Sequence, residues 1–250
     1  MMRGPVVIVA LSGLLAACAT ERIAAEREKA DSYYNIGIAR LASGNAKQAI
    51  AEFSQAIDGA SDNSAYHNAL GLAYLMDRRP DLAIASLQRA VELDSKFSDA
   101  YNNLGSAYVQ RAEYDQAIKA FRQALSNPAY LTPEQARLNL GNVYVVQGRA
   151  ADAVVEFKYA LDIAPDFTEA HNRLGHVYLV QGRLELAIAE LTLAVKQDPD
   201  LATAYQSLGF AHLSAGEKDR AKQAFQKVVE LSPTSEMAAE AMRQLKLLSQ

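Results

Sequence analysis

Small and large apolar residues recur along most of this chain with a period of about 34 residues. An apolar residue followed by glycine occurs six times, and successive glycines are 34, 34, 36, 34 and 34 residues apart. The six glycines are Gly37, Gly71, Gly105, Gly141, Gly175 and Gly209. Alanine follows each glycine after twelve residues, and Phe or Leu follows that alanine after four. No stretch after residue 30 alternates with period 2 for long, so the pattern predicts helices rather than strands.

Each unit of the pattern is predicted to fold as a helix, a tight turn and a second helix. The small residues let the two helices approach closely, and the Phe or Leu fills the gap between them. We expect six repeats over residues 30–235, which start near residues 30, 64, 98, 134, 168 and 202. Residues 236–250 carry an apolar stripe at helical spacing, which indicates a helix that caps the end of the stack.

This register resembles the tetratricopeptide repeat (TPR), and the resemblance covers residues 30–235. It implies an all-α protein, folded as a right-handed α-solenoid of six repeats with a C-terminal capping helix. It also implies that the first helix of each repeat lines a concave groove that binds a protein segment.

The composition narrows the possible functions. The 250 residues carry a formal net charge of −4 and no basic block, which argues against nucleic acid as a partner. The chain has no phosphate loop, no paired cysteines and no HExxH motif, and its four histidines are not spaced as metal ligands. We therefore expect no enzyme activity, no metal or other cofactor and no small-molecule substrate.

The N-terminus has the layout of a secretory signal. Arg3 precedes an apolar run from Val6 to Leu15, which small residues follow. This run is too short to span a bilayer comfortably as a mature helix. We predict that residues 1–17 are a signal peptide.

The only cysteine of the chain, Cys18, directly follows this segment. Together with the three residues before it, it resembles the bacterial lipobox, whose four positions are here Leu15, Ala16, Ala17 and Cys18. The resemblance implies cleavage before Cys18 and covalent lipid on it, with residues 18–29 as a lipidated tether to the membrane. No aspartate follows the cysteine, which favours the outer membrane of a Gram-negative bacterium, with the protein facing the periplasm. The alternative is a plain secreted protein in which Cys18 is incidental.

TPR analogy places defined positions around each glycine on the groove face. They are mostly asparagine and aliphatic residues: Asn68, Leu72, Met76, Asn102, Asn103, Val109, Asn139, Asn142, Val146, Asn172, Arg173, His176, Val180 and Phe210. An asparagine side chain can pair with the backbone of a peptide of any sequence, because it both donates and accepts. The alternative is that the asparagines serve local packing. No lysine stands three residues before any of the six glycines, which argues against a clamp for carboxylates.

The 36-residue spacing places two extra residues in the joint between the third and fourth repeats. Pro128 and Pro133 stop helices there and leave a longer loop that carries Tyr130 and Leu131. These two residues are candidates for contact with a partner. A tolerated surface insertion is the alternative, because lengthening a loop costs little.

The lipobox, the six repeats and the longer joint together resemble the type IV pilus pilotins, of the PilF, PilW and Tgl type. The resemblance implies a lipoprotein that binds subunits of the outer-membrane secretin and promotes their localisation and multimerisation. Two other roles stay open. The protein could be an adaptor that scaffolds peptidoglycan hydrolases or proteases, or a factor in polysaccharide export.

Overall fold

The computed structural model describes the backbone of residues 6–249 and the side chains of residues 21–249. The four lipobox positions, Leu15, Ala16, Ala17 and Cys18, lie outside the described side chains. The signal peptide and the lipid on Cys18 therefore stay predictions.

The described residues form thirteen helices and no strand, so the all-α prediction is confirmed. The helices are α1 (Val6–Ala42), α2 (Ala46–Gly59), α3 (Ser64–Met76), α4 (Pro80–Leu93), α5 (Ser98–Gln110), α6 (Tyr114–Leu125), α7 (Pro133–Val146), α8 (Ala150–Ile163), α9 (Thr168–Val180), α10 (Leu184–Gln197), α11 (Ala202–Ser214), α12 (Lys218–Leu231) and α13 (Glu236–Leu247).

The helices are arranged in two compact units, the first ending at Asn127 and the second starting at Pro128. In the first unit, α1 packs on α2, α3 on α4 and α5 on α6, and α2 also contacts α3 as α4 contacts α5. In the second unit the pairs are α7 with α8, α9 with α10 and α11 with α12, and α13 covers α12. This is the repeated helical hairpin of an α-solenoid.

The glycines that define the sequence period lie where the two helices of a pair are closest. A Cβ atom added to Gly141 would lie 2.5 Å from Cε1 of Phe157, and one added to Gly105 would lie 2.5 Å from Cε1 of Phe121. The large residue sixteen positions after each glycine is thus pressed against a bare backbone. Phe157 and Phe121 are almost completely buried, so this contact forms the core of each hairpin.

Short turns join the two helices of each pair. Gly148 ends α7 with φ of 72°, a conformation that glycine adopts without steric cost. The corresponding residues Arg78 and Ala112 in the first unit also have positive φ, of 56° and 57°. Both residues therefore have a left-handed backbone conformation, which is unfavourable for any residue other than glycine.

The longer joint between the third and fourth repeats spans the end of α6 and the start of α7. Contact with a partner through Tyr130 requires an exposed side chain, whereas the structure buries Tyr130. Leu131 is 91% exposed and is the member of the pair that a partner could reach.

Candidate functional site: the first-helix faces

The candidate site of the first unit lies on α3 and α5, the first helices of the second and third repeats. Asn68, Leu72 and Met76 follow one another along α3 at helical spacing. Asn102, Asn103 and Val109 stand at related positions on α5. All six are half-buried or exposed, so the structure leaves every one of these predicted residues within reach of a ligand.

Two of these asparagines are hydrogen-bonded to each other. Nδ2 of Asn103 donates to Oδ1 of Asn68 over 2.9 Å, which joins α5 to α3. About two helical turns farther along both helices, Nε2 of Gln110 donates to the carbonyl oxygen of Leu75 over 3.3 Å. The amide side chains therefore connect neighbouring repeats, as the packing interpretation expects. Each amide still has groups that one such bond does not use, so packing and ligand binding are compatible.

The candidate site of the second unit lies mainly on α7 and α9. Val146 and Val180 occupy the fifth position after Gly141 and Gly175, and they are 60% and 73% exposed. Asn139 and Asn142, which precede Val146 on α7, are half-buried. Aliphatic side chains left this exposed at the same position of successive repeats can lose water only when something binds.

Two predicted residues of this unit take part in the packing, and of these Asn172 is buried whereas Phe210 is half-buried. Asn172 is buried, and its Nδ2 donates to Oγ1 of Thr203 on α11 over 3.3 Å. Phe210 packs edge-on against Phe225, with ring centroids 5.1 Å apart. Sequence position alone did not separate these residues from ligand-facing ones, because the same helix face contributes to both contacts.

Arg173 and His176 are the two predicted site residues of this unit that can carry a positive charge. Nε of Arg173 pairs with Oε1 of Glu169 over 2.7 Å. Desolvation of the His176 ring lowers its pKa from the usual value, and the positive charge of Arg173 lowers it further. Both effects favour the neutral imidazole, which can both donate and accept. Its Nδ1 lies 3.4 Å from Oγ of Ser207.

Sequence reasoning missed the residues that complete these contacts, namely Gln110, Thr203 and Ser207. A usable signal was present in the spacing. The bonds between neighbouring first helices join residues 31 to 35 positions apart, close to one repeat. Pairing polar residues at that separation would have found them.

These faces offer amide, imidazole and aliphatic groups. Within the described residues, no group of three or more His, Cys, Asp or Glu side chains is placed to hold a metal ion. No helix in that part of the chain is long and apolar enough to cross a membrane. Such a surface can hold a protein segment by backbone hydrogen bonds and apolar burial.

Comparison with known proteins defines the family. Models described as tetratricopeptide repeat match residues 34–96 and 102–166, residues 144–209 and residues 202–235. The chain therefore belongs to the tetratricopeptide repeat family. A comparison with curated protein sequences finds no match.

Solved structures with the same fold include two pilus proteins. PilF of Pseudomonas aeruginosa is 20% identical, with a TM-score of 0.78 over 88% of this chain and 99% of the PilF chain. PilW, described as a widely conserved type IV pilus biogenesis factor, is 20% identical, with a TM-score of 0.78 over 85% of this chain and 98% of its own. YrrB, described as a TPR protein with an unusual peptide-binding site, is 23% identical, with a TM-score of 0.59 over 76% of this chain and 97% of its own.

Proposed function

We propose that this protein is a pilotin of the type IV pilus: a lipoprotein that binds secretin subunits and promotes their localisation and multimerisation in the outer membrane. The observation that carries the proposal is the match of nearly the whole chain to nearly the whole of PilF and PilW. The lipobox that ends at Cys18 supports it, because a pilotin acts at a membrane surface.

The binding step uses the first-helix faces. Val146 and Val180 bury apolar side chains of the bound segment, which contributes about 25 cal/mol per Å² of apolar area removed from water. The asparagines pair with its backbone, and each such bond contributes about 0.5–1.5 kcal/mol. Because the faces carry few unpaired charges, they suit an uncharged segment with alternating apolar residues.

In this proposal the assembly of secretin subunits depends on attachment of the protein to the membrane. Lipid on Cys18 confines the binder to the inner surface of the outer membrane, facing the periplasm. Two subunits bound there meet at a higher effective concentration than in the periplasmic volume, without any new contact between them. Release of the anchor should therefore weaken assembly more than it weakens binding.

The first experiment deletes the gene and follows the secretin on a mildly denaturing gel. We expect the high-mass secretin band to disappear, to return with the wild-type copy, and to return only weakly with Cys18→Ala. An unchanged band in the deletion strain would refute the pilotin function.

Two variants, one on the first-helix face and one on a second helix, then test whether secretin binds the proposed face. Val146→Asp with Val180→Asp should lose secretin capture in a pull-down by at least tenfold. Val155→Asp on α8 is the matched control, because Val155 is also an exposed valine, 49% accessible, but lies on a second helix. Equal capture by both variants would place binding elsewhere.

A scaffold for peptidoglycan hydrolases or proteases is the second candidate function. YrrB, with its unusual peptide-binding site, shares the fold and so supports a general peptide-binding role. Recovery of hydrolases without secretin in the same pull-down would favour this function, and altered surface polymer with intact pili would favour polysaccharide export.

A further inference from the structure

The helix α10 has apolar residues on two opposite sides. Its buried side, which packs against α9, carries Ala187, Leu191 and Ala194. Its opposite side, here called the outer face of α10, is exposed and carries Glu185, Leu186, Ala189, Leu193 and Lys196. Leu186 and Leu193 are 39% and 41% exposed, and they lie seven residues, about 10 Å, apart along the helix. A helix that is apolar on more than one side is normally packed on more than one side.

The neighbouring second helices do not repeat this pair of leucines. At the position of Leu186, α8 carries Asp152 and α12 carries Arg220. Nη2 of Arg149 lies 2.7 Å from Oδ2 of Asp152, and Nη1 of Arg220 lies 3.1 Å from Oε2 of Glu217. Both charges therefore have a partner within their own repeat. The leucine of α10 has no such use, and it is removed from water only when another surface covers it.

Two charged residues stand at the ends of the outer face. Glu185 is in the first turn of α10 and Lys196 is in the last turn, eleven residues or about 16 Å away. Among the residues that the structure describes, neither side chain has an ion-pair partner. The outer face thus has a carboxylate at one end, an ammonium group at the other and two leucines between them.

The charged residues and the leucines lie along different edges of the outer face. Successive residues of a helix are rotated by about 100°, which places Glu185 and Lys196 on one edge and both leucines on the other. A two-fold axis that relates two antiparallel copies of the helix keeps each edge on its own side. Charged residues of one copy therefore meet charged residues of the other, and leucines meet leucines.

The spacing along the helix completes this match. When the axis passes near the middle of the face, Glu185 of each copy lies opposite Lys196 of the other, and Leu186 lies beside Leu193. Ala189 is close to the axis, where its small side chain lets the two helices approach closely. The antiparallel direction also places the positive N-terminus of each helix dipole beside the negative C-terminus of the other.

The same pattern is a poor match for other occupants. Helices that bind an anionic lipid surface carry several Lys or Arg residues, whereas the outer face carries one. A strongly acidic or strongly basic peptide would be attracted at one end of the face and repelled at the other. The surface that satisfies both ends and covers both leucines is a second outer face.

We propose that two copies of this chain associate through the outer face of α10, in an antiparallel two-fold contact. This contact is separate from the first-helix face that carries Val146 and Val180, and it goes beyond the proposed function. One helix against another buries less area than a standard interface, so we expect a dissociation constant on the order of 0.1 mM. The chain is then monomeric at the micromolar concentrations at which its stability is measured.

The first test is sedimentation equilibrium of the whole chain with Cys18→Ala, which removes the only thiol. We expect the mean mass to rise toward that of a dimer with concentration, and Leu186→Glu to weaken association at least tenfold. Leu82→Glu on α4 is the matched control, because Leu82 is 37% exposed and stands at the position equivalent to Leu186. A monomer at ten times the expected dissociation constant would overturn the proposal, as would equal weakening by both variants.

Charge reversal tests the direction of the contact. Glu185→Lys alone places lysines opposite each other, and Lys196→Glu alone places carboxylates opposite each other. Each variant by itself should associate at least fivefold more weakly than wild type at low salt. An equimolar mixture of the two variants should associate like wild type, because every contact between them then joins opposite charges. A mixture that associates no better than the single variants would overturn the antiparallel contact.

A disulfide cross-link tests the position of the axis. In the Cys18→Ala chain, Ala189→Cys should form a covalent dimer under mild oxidation. Gln223→Cys, an exposed position of α12 equivalent to Ala189, is the control and should stay monomeric. Equal cross-linking at both positions would overturn the proposal. Binding to phosphatidylglycerol vesicles that Leu186→Glu abolishes, without self-association, would replace the second copy with a lipid surface. None of these readouts involves secretin, so the pilotin function could fail while this contact stands.

Discussion

Nδ1 of His212 lies 2.7 Å from Oε2 of Glu217, across the turn of the α11–α12 hairpin. In the two preceding repeats the same two positions hold a tyrosine with an arginine over its ring. Arg149 lies 4.3 Å from the ring centroid of Tyr144, and Arg183 lies 4.7 Å from that of Tyr178. The last repeat has thus replaced a cation–π contact with a contact of imidazole and carboxylate, and both members changed together.

Because a Tyr–Arg pair in the preceding repeats corresponds to the His212–Glu217 pair here, we expect the effects of substitutions at positions 212 and 217 on stability to be strongly coupled. His212→Tyr alone places a tyrosine ring beside a carboxylate, and Glu217→Arg alone places an arginine beside the imidazole. The double variant recreates the pair of the preceding repeats. We expect each single variant to lower the free energy of unfolding and the double variant to recover at least half of the summed loss, as measured by urea denaturation. Strictly additive losses would contradict the exchange.

Acid should weaken the same contact. The hydrogen bond from His212, and then the guanidinium of Arg220, lower the pKa of Glu217 from its ordinary value of 4.5. A carboxyl whose pKa is lower in the folded state stabilises the fold above the unfolded pKa, and this contribution is lost as the pH falls through the folded pKa. The advantage of wild type over Glu217→Gln should therefore be full above pH 4.5 and shrink below it. Urea denaturation between pH 3 and 7 measures the difference. A gap that stays constant with pH would refute the prediction, and the exposed Glu185→Gln serves as control.

The glycine at the closest approach of each hairpin should tolerate no side chain. In Gly141→Ala the new Cβ would lie 2.5 Å from Cε1 of the buried Phe157, so the ring or a helix must shift. We expect a loss of about 1–3 kcal/mol in the free energy of unfolding, the usual cost of overpacking a core. Ala189→Ser on the exposed face of α10 is the control and should change stability by less than about 0.5 kcal/mol. An unaffected Gly141→Ala variant would mean that the hairpin opens without cost.

At position 112, in contrast, replacing the side chain by glycine should stabilise the protein. Ala112 has φ of 57° after the end of α5, a region that costs an L-residue about 1–2 kcal/mol. Ala112→Gly should therefore raise the free energy of unfolding by about 1 kcal/mol, less the extra entropy of glycine in the unfolded chain. The matched control is Ala189→Gly inside α10, which should lower it by about 1 kcal/mol. Thermal or urea denaturation distinguishes the two, and a destabilised Ala112→Gly variant would contradict the prediction.

The sequence predicted the fold better than it predicted the candidate site. The 34-residue period identified the helical pairs because the constraint between Gly141 and Phe157 is local and repeats in every unit. It did not show that Tyr130 is buried, since a loop residue has no period from which burial can be deduced. It also missed the exposed leucines of α10, because the period of the repeat does not show which apolar side of a helix stays uncovered. Comparing each position with the same position one repeat earlier would have pointed to them.

The bond between Asn68 and Asn103 allows packing and binding roles to be separated. Asn103→Ala removes the donor and leaves a half-buried amide oxygen on Asn68, which should cost about 1 kcal/mol of stability. The double variant Asn68→Ala with Asn103→Ala removes both partners, and it should cost little more than the single one. If the asparagines also hold the partner, the double variant should bind secretin at least fivefold more weakly at a temperature where it is fully folded. Unchanged capture by a folded double variant would assign the pair to packing alone and leave the partner to the exposed valines of α7 and α9.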